Sequence, residues 1–127
     1  MGVRSRRKGV RFEREVAAVF REELGASTAR SLEESRGGVG DVLVALPTEP
    51  PIRLLVQCKV GQRPNAFTAL QEAARDAKLL EAGDERHPVL PVAAVHRDHG
   101  ETLVALRIGD FTTLIRRLVR ASVREAA

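Results

Sequence analysis

The 127-residue chain lacks several features that mark secreted or membrane-embedded proteins. Its single cysteine, Cys58, cannot form an internal disulfide, and a reducing, cytoplasmic setting is the simple interpretation. No apolar run approaches the ~20 residues that a membrane helix needs. Glu13 and Glu15 interrupt the segment where a signal peptide would be apolar. We therefore expect a cytoplasmic or nucleoid-associated protein that is neither secreted nor embedded in a membrane.

Aromatic residues are also scarce, while arginine is abundant. The chain has no Trp, no Tyr and four Phe, which disfavours a single-strand binder that stacks bases on aromatic rings. Its net charge is +4, and only Lys8, Lys59 and Lys78 among its 21 basic residues are lysines. A basic domain favours a polyanionic partner such as nucleic acid. A GC-rich genome gives the same arginine bias, however, and many small basic proteins have no such partner.

The pattern of apolar residues predicts a single α/β domain that follows a mobile basic arm over residues 1–8. The predicted elements are a helix over 9–24, strands over 26–31, 41–46 and 52–60, a helix over 64–82, strands over 89–95 and 102–108, and a helix over 110–124. This αβββαββα order predicts one central mixed sheet of about five strands flanked by helices.

Residue types at the helix ends and along the helices give finer predictions. Gly25 is expected to end the first helix, Pro64 to open the second, and Asp110 to cap the start of the third. The second helix is expected to pack through Phe67, Leu70, Ala74 and Ala77. The apolar stripe of the last helix comprises Phe111, Leu114, Ile115, Leu118 and Val119.

The two predicted strands that flank residues 47–51 are expected to bring polar side chains together. If the five-residue loop pairs Leu46 with Ile52, antiparallel pairing sets Asp41 directly opposite Gln57. Gln57 and Lys59 share a face because side chains alternate along a strand. A slip of one residue would separate the three side chains.

A glutamate of the first helix is expected to join this cluster. On a helical wheel Glu13 falls in the middle of the apolar face, and a carboxylate directed at the core needs a compensating partner. A structural ion pair with a neighbouring basic residue is the alternative. Asp41 is equally typical of a turn, and Gln57 and Lys59 of a solvated edge strand. Cys58 points to the opposite face and is expected to be a core residue.

Such a cluster suits hydrolysis of a phosphodiester bond. Hard oxygen ligands from Glu13, Asp41 and Gln57 are suited to Mg²⁺, with Mn²⁺ as an alternative. The metal would polarise the scissile phosphate and lower the pKa of a bound water. Lys59 would orient the attacking water or stabilise the charge that develops on the phosphate. No small-molecule cofactor is expected.

The ordered motifs resemble the PD-(D/E)XK nuclease superfamily and, more narrowly, the archaeal-type Holliday junction resolvases. The resemblance extends from the N-terminus to about Ile108. It is carried by the segments Arg7-Lys8-Gly9, Phe12-Glu13-Arg14-Glu15, Arg30-Ser31, Gly40-Asp41-Val42-Leu43-Val44, Val56-Gln57-Cys58-Lys59-Val60 and Pro91-Val92-Ala93-Ala94-Val95.

This resemblance implies a restriction-endonuclease-like fold and a homodimer that nicks two opposing strands of a four-way DNA junction with Mg²⁺. It implies that Glu13, Asp41 and Lys59 are catalytic and that Ser31 contributes to cleavage. Gln57 stands where the family most often has Glu, and a glutamine brings no charge. Weaker metal binding is therefore expected, and Gln57→Glu is expected to raise activity at low Mg²⁺.

Arginines and one lysine are the expected contacts to DNA phosphates. They are Arg4, Arg6, Arg7, Lys8, Arg11, Arg30 and Arg36. Two alternatives remain open at this point. One is another PD-(D/E)XK nuclease, of the restriction or repair type, and the other is a protein that binds junctions without cutting them.

Overall fold

Eight elements build a sheet with helices on both faces. The computed structural model describes residues 3–30, 41–81 and 87–126, without the side chains of residues 3–6, 30 and 124–126. The elements are α1 (Val3–Leu24), β1 (Ser27–Arg30), β2 (Asp41–Leu46), β3 (Ile52–Gly61), α2 (Ala66–Glu81), β4 (Val89–Arg97), β5 (Thr102–Ala105) and α3 (Ile108–Ala126). The predicted fold class, an α/β domain with a mixed five-stranded sheet, is confirmed.

The sheet is open and has the spatial order β1-β2-β3-β4-β5. Neighbouring strands are antiparallel except for β3 and β4, which are parallel and are joined through α2. Parallel neighbours need a long crossover connection, which α2 provides. The parallel strands β3 and β4 are buried along most of their length, as is typical of parallel strands that helices cover on both faces.

The helices divide between the two faces of the sheet. Phe12 and Val16 of α1 pack on the even-numbered side chains of β2 and β3, and Leu114 and Leu118 of α3 pack against the same core cluster, which extends to β4. Ala77 of α2 packs on the other face, against Leu55 and its neighbours. The hydrophobic core is therefore larger on the α1 side, and α2 lies on the face that carries the odd-numbered residues of β3.

The turn between β2 and β3 fixes the register of the hairpin. The Thr48 hydroxyl accepts a hydrogen bond from the Ile52 amide at 3.1 Å and donates to the Pro50 carbonyl at 2.9 Å. Leu46 pairs with Ile52, as predicted. Because this pairing propagates along the ladder, the turn determines which residues face each other at the far end of the hairpin.

The first helix is longer than predicted. It begins at Val3, so the prediction of a mobile arm over residues 1–8 is wrong for residues 3–8. Arginine and lysine are good helix formers, and a run of charged residues can extend a helix whose later turns are held by packing. The prediction for its end is confirmed: Gly25 has a φ of 64°, and its amide donates to the Arg21 carbonyl at 3.0 Å.

The second helix begins later and packs through a different face. It starts at Ala66 rather than Pro64, and the Asn65 side chain caps it by accepting from the Thr68 amide at 3.1 Å. Ala69, Ala73 and Ala77 are buried. Of the packed face predicted from Phe67, Leu70, Ala74 and Ala77, Ala77 is buried and Leu70 and Ala74 are partly buried, whereas the prediction is wrong for Phe67, which is 83% exposed. Small side chains let the helix lie close to the two strands it connects.

The last two elements also differ from the prediction at their junction. β5 ends at Ala105, and α3 already begins at Ile108, so Asp110 lies within the first turn rather than at the cap. Its carboxylate accepts from the Arg107 guanidinium at 2.8 Å, which fixes the start of the helix. In the part of the chain that the structure describes, no helix is long and apolar enough to span a bilayer.

Candidate active site

A buried pair of polar residues lies at the open end of the β2–β3 hairpin. Asp41, the first residue of β2, is the cross-strand partner of Gln57, which confirms the predicted register. Gln57 is only 3% exposed and Asp41 is partly buried. Lys59 lies two residues further along β3 on the same face and is partly exposed. The hairpin therefore brings together three of the predicted site residues.

One oxygen of each paired residue is buried without a hydrogen-bond partner. These atoms are Asp41 Oδ1 and Gln57 Oε1. A buried acceptor that lacks a partner costs about 1–3 kcal/mol, so native proteins rarely keep two of them side by side. A hard cation would satisfy both oxygens, since carboxylate and amide oxygens are the ligands that Mg²⁺ and Mn²⁺ prefer.

Helix α2 contributes a carboxylate that contacts both other members of the hairpin cluster. Glu72 Oε2 accepts a hydrogen bond from Gln57 Nε2 at 3.0 Å and lies 3.1 Å from Lys59 Nζ. The carboxylate can only accept, so it selects the amide nitrogen of Gln57. The Gln57 oxygen is thereby directed elsewhere, and it is one of the two buried oxygens without a partner.

A second carboxylate of α2 lies one turn further along the helix and contacts Asp41. The pKa of Asp41 is raised from 3.8 to about 8, first by burial and then by a hydrogen bond to Asp76 and the charge of Asp76. The charges of Glu72 and Glu13 add smaller contributions. Without a cation, this raised pKa favours the protonated form of Asp41 at neutral pH.

Glu13 belongs to α1, on the other face of the sheet, and its charge acts on Asp41, so its place among the ligands stays a prediction. It is 4% exposed on α1, so the prediction that it faces the core is confirmed. Among the carboxylates that act on Asp41, its charge raises the Asp41 pKa least. Cys58 lies on the α1 face, as predicted, and burial followed by the charge of Glu13 raises its thiol pKa to about 12. The thiol is therefore unreactive and is a core residue.

Glu72 and Asp76 were not predicted from the sequence. The predicted packing face of α2 centred on the large residues, and on a helical wheel that choice directs Glu72 to solvent. The buried stripe of Ala69, Ala73 and Ala77 lies about 80° around the helix axis from the predicted face, at 100° per residue. Glu72 and Asp76 therefore lie at the edge of the stripe that packs on the sheet. The spacing of Ala69, Ala73 and Ala77 was the available signal.

The remaining predicted residues lie apart from the cluster or outside the described residues. Ser31 and Arg36 lie outside them, as do the side chains of Arg4, Arg6 and Arg30. Lys8 forms an ion pair with Asp98 of the β4–β5 turn. Arg7 and Arg11 are exposed on α1, where they line a surface groove together with Arg14.

The donor atoms fit a divalent cation, although they are not assembled into a complete ligand set. Within residues 3–30, 41–81 and 87–126, no three Asp, Glu, His or Cys side chains are gathered closely enough to hold a metal ion. The two oxygens without a partner, on Asp41 and Gln57, would be its nearest ligands. Mg²⁺ commonly binds through one or two carboxylates and completes its coordination with water and phosphate oxygens.

Comparison of the chain with known protein families, with characterised proteins and with solved structures finds no match.

Proposed function

We propose that this protein is a Mg²⁺-dependent DNA endonuclease that resolves four-way junctions. The observation that carries the proposal is the pair of buried oxygens without partners, Asp41 Oδ1 and Gln57 Oε1, on the face of the hairpin that also carries Lys59. Carboxylate, amide oxygen and lysine at this spacing are the groups that metal-assisted phosphodiester hydrolysis uses. The motifs that resemble the junction resolvases support the same activity.

Each residue of the cluster has a role in this proposal. Asp41, Gln57 and Glu13 would hold Mg²⁺, or Mn²⁺ in its place, and the bound ion would supply Lewis acidity to the scissile phosphate. Lys59 donates hydrogen bonds to the attacking water or to a phosphate oxygen and stabilises the negative charge that develops there. Its contact with Glu72 holds the ammonium group at the rim of the cluster, 3.1 Å from the carboxylate.

An arginine stripe along α1 supports DNA as the substrate. Residues 7, 11, 14 and 21 are arginines spaced three, four or seven apart, so they lie on one face of the helix. All four are exposed. On a helical wheel this face lies opposite the packed residues Phe12 and Val16. Arginines in such a row contact successive phosphates and recognise DNA by its shape rather than by its sequence.

Neutralising the stripe is expected to weaken DNA binding for all DNA sequences alike. For the triple variant Arg7→Gln, Arg11→Gln, Arg14→Gln, we plot the logarithm of the DNA-binding constant against the logarithm of the salt concentration. The slope should become shallower by about 2–3, because each lost phosphate contact removes about 0.9 from it. Fluorescence anisotropy at several salt concentrations measures this slope. The matched control changes Arg116, Arg117 and Arg120 of α3 to Gln. An equal loss in both variants would show that net charge alone determines binding.

Substrate preference is tested with a labelled four-way junction, a duplex and a single strand, each incubated with Mg²⁺. The proposal predicts paired cuts in opposing strands of the junction, released as two nicked duplexes. Equal cutting of all three DNAs would favour a restriction or repair nuclease instead. Paired cuts need two sites in one complex, so single nicks alone would contradict the homodimer.

A homodimer is supported by an exposed apolar surface on β5 and α3. Its exposed residues are Val104 of β5 and, on one face of α3, Ile108, Phe111, Ile115 and Val119. Large apolar side chains that stay exposed on one helix face are typical of an interaction site. A second copy that covers it would provide the second active site. We propose a cytoplasmic or nucleoid-associated location, where branched DNA is present.

One observation favours the alternative of a protein that binds junctions without cutting them. Gln57 carries no charge, and the described Asp, Glu, His and Cys side chains form no complete ligand set. This alternative predicts that the labelled junction is shifted in a binding assay but stays intact with both Mg²⁺ and Mn²⁺. Cleavage with either ion would exclude it.

A further inference from the structure

Gln57 of β3 and Glu72 of α2 are 15 residues apart in the chain, yet their side chains are in contact. Their side chains contact each other in the interface between β3 and α2, where Gln57 Nε2 lies 3.0 Å from Glu72 Oε2. The same carboxylate oxygen also contacts Lys59 at 3.1 Å. One amide, one carboxylate and one ammonium group therefore form a connected set beside Asp41.

We infer that Glu72 is a functional member of the active site and supplies from α2 the negative charge that Gln57 does not bring from β3. This inference rests on the proposed metal-dependent function. Gln57 and Glu72 act as one unit: the carboxylate provides the charge that balances the cation, and the amide provides an oxygen ligand. Glu72 also positions Gln57, because it binds the amide nitrogen and leaves the oxygen directed toward the cation site.

Three observations support this inference over a purely structural role. Glu72 is about a third exposed at the border of the alanine stripe, so packing of α2 does not require a carboxylate there. Gln57, which it contacts, is 97% buried and yet its oxygen lacks a partner. The charge of Glu72 also acts on Asp41, so all three side chains share one electrostatic environment.

The pair predicts that its two side chains can be exchanged. In the double variant Gln57→Glu, Glu72→Gln, the carboxylate moves from the helix to the strand and the hydrogen bond reverses its direction. The charge of the site and the number of oxygen ligands both stay the same. Glu72→Gln alone removes the negative charge. It also replaces the carboxylate that accepts from Gln57 with a second amide group.

The test measures binding of Mn²⁺ by isothermal titration calorimetry, together with the rate of junction cleavage. Glu72→Gln is expected to lose about 10–100-fold in Mn²⁺ affinity, the size of effect typical of groups that support a metal site. The double variant is expected to return to within about 3-fold of the parent, since it restores both charge and hydrogen bond. Glu23→Gln, an exposed position on α1, is the matched control and should bind Mn²⁺ as the parent does.

The outcomes separate this inference from the proposed function. If the parent binds Mn²⁺ and cuts junctions but Glu72→Gln matches it in both, Glu72 has no functional role. If Glu72→Gln loses affinity and the double variant does not regain it, the two residues are not an exchangeable unit. If the parent neither binds Mn²⁺ nor cuts DNA, the proposed nuclease function fails, and the role of Glu72 fails with it.

Discussion

Replacing Asp41 by asparagine is expected to lower the rate of junction cleavage by at least ~10³-fold while leaving DNA binding largely intact, because loss of several kcal/mol of metal-assisted stabilisation has this effect. Asp41 is the carboxylate of the buried pair, and its partner Gln57 cannot replace the charge. The arginine stripe that is expected to hold DNA lies on the outer face of α1 and is unchanged. Cleavage of a labelled junction and anisotropy binding, both with Mg²⁺, measure the two effects.

Asp110→Asn is the matched control for this substitution. Asp110 lies on α3, and its carboxylate accepts from Arg107 at the surface. Loss of a surface ion pair of this kind costs about 0–1 kcal/mol and should leave cleavage unchanged. If Asp41→Asn cuts junctions as fast as the parent does, the assignment of the active site is wrong. If it loses binding and cleavage together, Asp41 supports the fold or the DNA contact instead.

The contribution of Asp41 to the stability of the cation-free protein is expected to fall as the pH rises from about 4 to about 8. The pKa of Asp41 is raised in the folded state from 3.8 to about 8, first by burial and then by Asp76 and the other carboxylates. Over this interval the unfolded chain has released the proton that the folded protein still holds. Folding therefore takes up a proton, and stability from this group declines with each increment of pH.

Asparagine resembles the protonated form of Asp41 and cannot ionise, so Asp41→Asn is expected to lose this contribution to the pH dependence. At pH 8 in EDTA the variant should be more stable than the parent by about 2 kcal/mol, less than the full shift because Asp41 is partly exposed. At pH 4 the two proteins should be nearly equal. Urea unfolding at both pH values measures the difference, with Asp110→Asn again as control.

Two results bear directly on the cause of this dependence. Adding Mn²⁺ at pH 8 should restore stability to the parent but not to Asp41→Asn, because a bound cation favours the ionised carboxylate. A difference in stability between parent and Asp41→Asn that stays the same at pH 4 and pH 8 would contradict the raised pKa. If stability declines equally in the parent and in Asp41→Asn, the decline is caused by other titratable groups.

Local sequence was sufficient for the hairpin because its physics is local. Alternation along a strand has a period of two, and a five-residue turn leaves few registers. Those two facts put Asp41 opposite Gln57, and Lys59 on the same face as Gln57. The helical wheel of α1 likewise directed Glu13 to the core, where it is buried. Gly25 ended that helix because glycine adopts a positive φ without strain.

Helix boundaries and the length of α1 were less well predicted. Residues 3–8 were expected to be an arm because their sequence has charge but no apolar stripe of its own. They continue a helix whose nucleus and packing lie further along the chain, at Phe12 and Val16. Asn65 and Arg107 mark the true helix starts, and each is identified only by the hydrogen bonds made in the folded chain.

Sequence patterns were sufficient to predict the order of the elements, the register of the hairpin, and hence three side chains of the candidate site. The face of α2 that meets the sheet, and with it the placement of Glu72 and Asp76 beside them, became apparent only from the packing of the folded chain. The reason is that a helix with two apolar stripes, one of large and one of small residues, has no local preference between them. The choice depends on how closely a crossover helix must approach the strands it connects, and close approach selects the alanines.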